Sequence, residues 1–195
     1  MTFRLGLTGS IGMGKSTTAA MFAAAGLPIW DADSAVHQLY ARDGLAVSPI
    51  SEICPEATMD GNVSRETLKR AIAADPGLLA KLEAITHPLV AADRAAFLAQ
   101  TTADIAVLDT PLLFETSSQP EFHATLLVTA PADLQRQRVL QRPGMTEQHF
   151  QTLLSRQMPD AQKRSLATHI VETLDLSATE AYVKSLIAHI RARHA

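Results

Sequence analysis

The sequence predicts an α/β fold, and three observations point to it. Arg4-Leu5-Gly6-Leu7-Thr8 is a short, mostly apolar run of the kind that forms a buried strand. It leads straight into Gly9-Ser10-Ile11-Gly12-Met13-Gly14-Lys15-Ser16, which fits the pattern G-x-x-x-x-G-K-[ST]. The stretch Ser16–Ala25 is alanine-rich and strongly helix-forming, with Gly26 placed for its C-terminal cap. Strand, glycine-rich loop and helix in that order are the opening unit of a parallel sheet.

Each loop position has a physical task. The glycines lack the Cβ that would keep backbone N–H groups from turning inward around phosphate oxygens. Lys15 supplies a point charge for the outer phosphates, and the Ser16 hydroxyl can join the shell of Mg²⁺. The phosphates then lie at a helix N-terminus, where orphan donors and the helix dipole favour anions. A plain glycine-rich turn is the alternative, but the strand before and the helix after supply the context a phosphate loop requires. The Met13 side chain stands at a variable position and is expected to pack or face solvent without chemical consequence.

With 195 residues the chain can form one well-buried domain and a modest insertion. Hydrophobic residues make up 47% and aromatics only 5%, so the core is expected to be built from Ala, Leu, Ile and Val. A net charge of −3 gives no basic field for generic nucleic-acid binding. No apolar run approaches the ~20 residues that span a bilayer, and no leader pattern opens the chain. Cys54 is the single cysteine, which excludes an intrachain disulfide and a cysteine zinc cluster. We therefore expect a cytoplasmic protein that acts without membrane, nucleic acid or an obligate protein partner.

Beyond the first helix, Leu27-Pro28-Ile29-Trp30 reads as a strand delivering Asp31-Ala32-Asp33 at its carboxyl end. Ligand crevices of open α/β sheets lie at those ends, so the phosphate loop and the acidic pair are predicted to share one mouth. From Ser34 to about Gln100 nothing alternates like a strand, and a helical block is expected. Asp75-Pro76-Gly77 reads as a helix start, Leu78, Leu82 and Ile85 as an apolar stripe, and His87-Pro88 as the start of another helix. Ile105-Ala106-Val107-Leu108-Asp109 is a buried strand ending in an acid, the form of a Walker-B segment whose carboxylate orients Mg²⁺. Thr125–Thr129 and Thr168–Glu172 read as further strands.

Between them, Arg136, Arg138, Arg142 and Arg156 surround the breaker Pro143-Gly144, with Arg138 and Arg142 spaced to share a helix face. In a phosphate-binding chain this suggests a mobile clamping lid, against the plain alternative of a solvated face. Thr146 is placed to cap the helix that carries Phe150. Ser177-Ala178-Thr179-Glu180 reads as a capping box for the last helix, with Val183, Leu186, Ile187 and Ile190 inward.

The guanine-reading N/T-K-x-D of a GTPase is missing, and Asp109 is followed by Thr110-Pro111-Leu112 rather than Asp-x-x-Gly. A motor or transporter ATPase needs a larger body. A small-molecule kinase remains, in which the protein aligns donor and acceptor, neutralises charge and supplies a proton acceptor. Asp31 or Asp33 can meet an acceptor hydroxyl while the other holds structure or metal, or both can merely cap the helix at Ser34. Spacing alone does not choose.

The chain resembles the dephospho-coenzyme A kinase family. The matching pieces are Leu7–Thr17, Asp31-Ala32-Asp33 with His37 and Leu39, His87-Pro88-Leu89-Val90, and Leu108-Asp109-Thr110-Pro111-Leu112-Leu113-Phe114-Glu115. Arg138, Arg142, Arg156-Gln157 and Lys163-Arg164 complete the set, so the likeness runs from residue 3 to about 172. It implies a P-loop NTPase fold, a nucleoside-monophosphate-kinase-like core of about five parallel strands with a helical substrate-binding insertion and a lid. The implied division is a core of 1–33 and 103–195, a CoA-binding subdomain of about 34–102 and a lid of about 138–160.

The implied reaction is phosphorylation of the ribose 3′-hydroxyl of dephospho-CoA by ATP with Mg²⁺. Asp33 would be the base, with Lys15, Arg138 and Arg142 as the other catalytic groups. ATP would meet Gly9, Gly12, Met13, Gly14, Lys15, Ser16 and Thr17, and the metal Ser16 and Asp109. The acceptor would meet Thr8, Asp31, Asp33, His87 and Leu113. The chain departs from the family pattern at Val63-Ser64-Arg65 (usually Leu-Asp-Arg), at Ala167-Thr168 (usually Ala-Asp), and around Thr173-Leu174, where an asparagine is usual. Gluconate, shikimate or nucleotide kinases on the same scaffold, and a non-catalytic ATP-binding regulator, are the rival readings.

Overall fold

The computed structural model describes residues 2–194. It divides into two compact units, Met1–Trp30 with Thr101–Ala195, and Asp31–Gln100.

The first unit is built on a five-stranded sheet. Its strands are β1 (Phe3–Thr8), β2 (Ile29–Asp31, whose last residue belongs to the second unit), β5 (Ile105–Asp109), β6 (Ala124–Thr129) and β7 (His169–Glu172). The order is β2-β5-β1-β6-β7, with β1 parallel to both β5 and β6, and β6 parallel to β7. The connection from β1 runs to β2 at one edge and that from its neighbour β6 runs to β7 at the other, so the ends of β1 and β6 form a switch point of the kind where α/β sheets bind ligands. β1, β5 and β6 are apolar nearly throughout because both of their faces are covered.

One face packs α1 (Lys15–Ala24) and α9 (Leu176–His194), joining Leu5, Leu7 and Val128 to Phe22, Val183 and Ile187 in a single core. The other face of β1 receives Leu113 and Phe122 against Gly6. The helix α1 ends as its sequence suggests: Gly26 is left-handed at φ 84° and its N–H reaches the Ala23 carbonyl at 2.9 Å. α9 begins earlier than its expected capping box. The carboxylate of Asp175 accepts the N–H groups of Ser177 (2.9 Å) and Ala178 (3.1 Å), so Asp175 takes over the role foreseen for Ser177.

Helices α6 (Ala132–Leu140), α7 (Glu147–Leu154) and α8 (Asp160–Leu166) complete this unit. Thr146 caps α7 by accepting the His149 N–H at 3.2 Å. α6 stops at Leu140, so Arg142 lies in the turn beyond it and does not continue the helical face of Arg138.

The half-buried His169 of β7 meets His189 of α9 edge to face, with ring centroids 6.1 Å apart. Burial and the His189 charge both push the His169 imidazole below its ordinary pKa. The fold therefore favours the neutral ring, and the unfolded chain binds the extra proton. Stability is expected to be held above about pH 6.5 and lost as pH falls through the lowered folded value. Thermal midpoints from pH 7.5 to 5 should show this slope, and His169→Gln should make it shallower, the remainder coming from His123, whose imidazole burial also pushes down; an unchanged slope would remove His169 as a source.

The second unit contains α2 (Ala32–Tyr40), α3 (Val47–Ile53), α4 (Arg65–Ala74) and α5 (Gly77–Gln100) around Leu39, Ile50, Val63, Leu68, Leu78 and Leu82. The reading of this stretch as purely helical needs a correction. β3 (Thr58–Met59) and β4 (Asn62–Val63) form a small antiparallel hairpin. Asp60 and Gly61 turn it with φ of 50° and 77°, the left-handed pair that a tight hairpin demands. Two-residue strands are too short for alternation to reveal.

The expected break at His87-Pro88 is also absent. α5 runs through Pro88, although an internal proline costs about 3 kcal/mol in an isolated helix. Leu78, Leu82, Ile85 and Leu89 form one stripe across the proline in a single core, and that packing outweighs the local preference.

Candidate active site

In the first unit, β1 ends at Thr8 and the chain turns through the glycine loop into α1. Gly12 (φ 77°) and Gly14 (φ 95°) both take the left-handed conformation that lets the loop fold back on itself. A Cβ on Gly14 would also meet the Thr173 side chain at 3.0–3.3 Å. The loop thus presents its backbone N–H groups at the N-terminus of a ten-residue helix, a cradle for an anion. Lys15 begins α1 and its Nζ forms an ion pair with Oδ1 of Asp109, the last residue of β5, with little solvent exposure on either side. Two residues 94 apart in the chain, one opening α1 and the other ending β5, are thereby held together. Ser16 and Thr17 follow in the exposed first turn.

The loop is braced from outside. Gln135 of α6, only 4% exposed, donates from Nε2 to the Ile11 carbonyl at 2.7 Å. Gln157, just beyond α7, accepts the Ile11 N–H at 3.1 Å. The Thr173 hydroxyl donates to the Met13 carbonyl at 2.8 Å. The Met13 side chain is buried, and its sulfur receives the Ala130 N–H, so it packs against the end of β6. None of the three braces was foreseen, although Gln157 stands beside Arg156 in the resemblance. A glutamine within an arginine-rich stretch reads as surface; the overlooked signal is the apolar Val139 one turn on, which shares its buried side.

Arg138 of α6 donates to the Thr173 hydroxyl (2.8 Å) and to the Thr173 carbonyl (2.5 Å). Arg142 and Arg156 are exposed, and Arg136 pairs with Glu147 at 2.7 Å. Glu115 accepts the Met158 N–H at 2.8 Å and lies 2.8 Å from Nζ of Lys163, which has 0% of its side chain exposed. This pair is a charge contact rather than an aligned hydrogen bond. Glu115 thus ties both the segment after α7 and the helix α8 to the turn after β5.

Two expected acceptor contacts of this unit are enclosed. The Thr8 hydroxyl donates to the Pro111 carbonyl at 3.2 Å. Leu113 is 0% exposed beside Gly6, so its seat is in the core rather than at a binding surface.

In the second unit, the acidic pair is not a pair along one strand. Asp31 is the extended N-cap of α2, and its Oδ1 accepts the Ser34 N–H at 2.6 Å. Asp33 is already in the first turn of α2, with its side chain exposed. The two carboxylates therefore do not lie along one strand, because β2 is only three residues long and ends at Asp31. Arg65 lies over the Tyr40 ring, 5.8 Å from its centroid, and donates to the Asp33 carbonyl at 3.4 Å. His87 is exposed on α5.

The family model for dephospho-CoA kinase matches residues 3–177. The chain belongs to the dephospho-CoA kinase family. It is 62% identical over 189 residues to the dephospho-CoA kinase of Cereibacter sphaeroides, covering 97% of this chain and 96% of that one. The crystal structure of TT1252 from Thermus thermophilus superposes with a TM-score of 0.86 at 34% identity, over 96% of this chain and 97% of that one. The dephospho-CoA kinase from Campylobacter jejuni shares the fold, with a TM-score of 0.71 at 20% identity over 97% and 98% of the two chains. The chain is therefore a kinase on a P-loop scaffold.

The departures from the dephospho-CoA kinase pattern have structural accounts. Ser64 caps α4 by accepting the Thr67 N–H at 3.2 Å, a task serine and aspartate share. Thr168 exchanges hydrogen bonds with Thr125, giving 3.0 Å from its N–H and accepting at 3.2 Å on its hydroxyl. Thr173 occupies the junction of loop and arginine described above.

Proposed function

We propose that the chain transfers the terminal phosphoryl group of ATP to the ribose 3′-hydroxyl of dephospho-CoA, yielding coenzyme A, with the residue roles that follow. The supporting observation is the glycine loop closed by the Lys15–Asp109 ion pair at the strand ends, in a chain of this family. Gly9, Gly12, Met13, Gly14, Lys15, Ser16 and Thr17 hold the phosphates, and Lys15 neutralises charge on the group in transfer. Arg138 and Arg142 add positive charge from the stretch at about 138–160, which acts as a lid. Asp33 takes the proton of the acceptor hydroxyl, since its carboxylate is exposed while that of Asp31 accepts the α2 N-terminus. The helical unit, with His87 on its exposed face, receives dephospho-CoA.

Ser16 and Asp109 would hold Mg²⁺. Among the described residues no cluster of three or more histidine, cysteine or carboxylate side chains is present. Magnesium bound to phosphates and water needs only one or two carboxylates, so the Asp109 carboxylate at the end of β5 and the exposed Ser16 hydroxyl in the first turn of α1 fit it by their chemistry. When bound, the ion would offset negative charge on the phosphates. Among the described residues no helix is long and apolar enough to cross a membrane. We place the enzyme in the cytoplasm, acting on small molecules alone.

Purified protein with ATP and Mg²⁺ should release ADP only when dephospho-CoA is the acceptor. Turnover of shikimate, gluconate or a nucleotide in its place would assign another acceptor, and ATP binding without acceptor-dependent ADP would favour a regulator.

A further inference from the structure

Thr173 lies in the Thr173-Leu174 stretch, around which the family pattern carries an asparagine, and its contacts are more than packing. It is 7% exposed, and its backbone N–H is fixed to the Thr129 carbonyl at 2.9 Å, at the end of β6. A threonine hydroxyl has one proton to give and two lone pairs to offer. The proton has two acceptors in range, the Met13 carbonyl at 2.8 Å and the Thr129 carbonyl at 3.4 Å, and the shorter lies in the phosphate loop. The lone pair is taken by Arg138 Nη1 at 2.8 Å, while Nη2 takes the carbonyl of the same residue at 2.5 Å. A cation, a hydroxyl and a loop carbonyl thus form one chain of hydrogen bonds, and the positive end strengthens the donation at the other. The Thr173 methyl closes the same spot sterically, 3.2 Å from where a Gly14 Cβ would stand.

We propose that Thr173 is a positioning residue for ATP, setting the loop peptide at Met13 and the guanidinium of Arg138 in one fixed relation. Donor and acceptor are both required of the side chain at this place. A primary amide offers the same two functions, which is the chemical reason asparagine and threonine can exchange here. The inference rests on the reading of the loop and Arg138 as ATP-binding groups.

Thr173→Val keeps the branch and the methyl but leaves the Met13 carbonyl without its donor and Arg138 with one bond instead of two. Its KM for ATP, and its ATP Kd by calorimetry, should rise about tenfold, the scale of losing a charge-assisted hydrogen bond, while the KM for dephospho-CoA stays within about twofold. Thr173→Ser should restore ATP affinity to within about threefold of the parent, because the hydroxyl alone carries the function. In an Arg138→Ala background, Thr173→Val should cost clearly less than it does alone, since half of its partners are gone.

An unchanged ATP Kd in Thr173→Val, an equal rise in both KM values, or a loss that serine does not restore would overturn the proposal. If thermal melting shows Thr173→Val to be unfolded, Thr173→Asn decides: ATP affinity within about threefold supports the inference, and a loss beyond about tenfold overturns it. Parent turnover with dephospho-CoA tests the underlying reading separately, and the ATP Kd reads Thr173 whatever the acceptor proves to be.

Discussion

Lys15→Ala is expected to lower kcat/KM for ATP by roughly 10²–10³-fold, the range for removing one preorganised charge that faces developing negative charge. Lys15 sits at the start of α1, its ammonium held at the mouth of the loop by Asp109 and largely shielded from water. Shielding keeps the local dielectric low, so the charge acts more strongly than an exposed lysine would. Truncation also takes a cation away from a nearly buried carboxylate, so the thermal midpoint should be recorded with the kinetics to separate folding from chemistry. Lys15→Arg should recover only part of the activity, because a planar fork does not replace a compact ammonium in a tight loop. Near-normal kinetics in the alanine variant would remove the phosphate loop from the reaction.

The second large effect is expected at Asp33. Asp33→Asn should cut kcat by roughly 10²–10⁴-fold while ATP affinity stays nearly constant, as for loss of a general base. Asp31→Asn should do far less. Its oxygen accepts the Ser34 N–H at the start of α2, and asparagine caps a helix about as well as aspartate. The comparison is informative because the two acids are only two residues apart yet are used differently by the fold. A large kcat loss at Asp31 with little at Asp33 would reverse the assignment.

These two residues also mark how far the sequence could be read. The loop is legible because glycine spacing and a following lysine have few structural alternatives, and β1 and β5 are legible because doubly covered strands are mostly apolar runs. The pairing of Lys15 with Asp109 is not local, and only the β1–β5 register brings Leu7 opposite Asp109 and so sets the loop beside it. The roles of the acidic pair stayed open in the sequence because spacing does not show that β2 ends at Asp31, which leaves Asp31 as the cap of α2 and Asp33 in its first turn.

Pro88 and the Asp60-Gly61 hairpin failed for opposite reasons. Packing of Leu82 and Leu89 overrode a strong local signal at the proline, while at the hairpin the local signal was present but its strands were too short to register. Arg142 was placed on a helix that had already ended. The braces on the loop stayed hidden because Gln135, Gln157 and Thr173 are polar residues whose worth depends on which carbonyl or N–H they face. No periodicity encodes that.

The most direct test of the whole account is the position of the new phosphate. Product made from dephospho-CoA, ATP and Mg²⁺ should gain one phosphate in mass and show phosphorus-to-proton coupling at the ribose 3′-carbon. A phosphate found at any other position, or dephospho-CoA recovered unchanged while ATP is consumed, would contradict it.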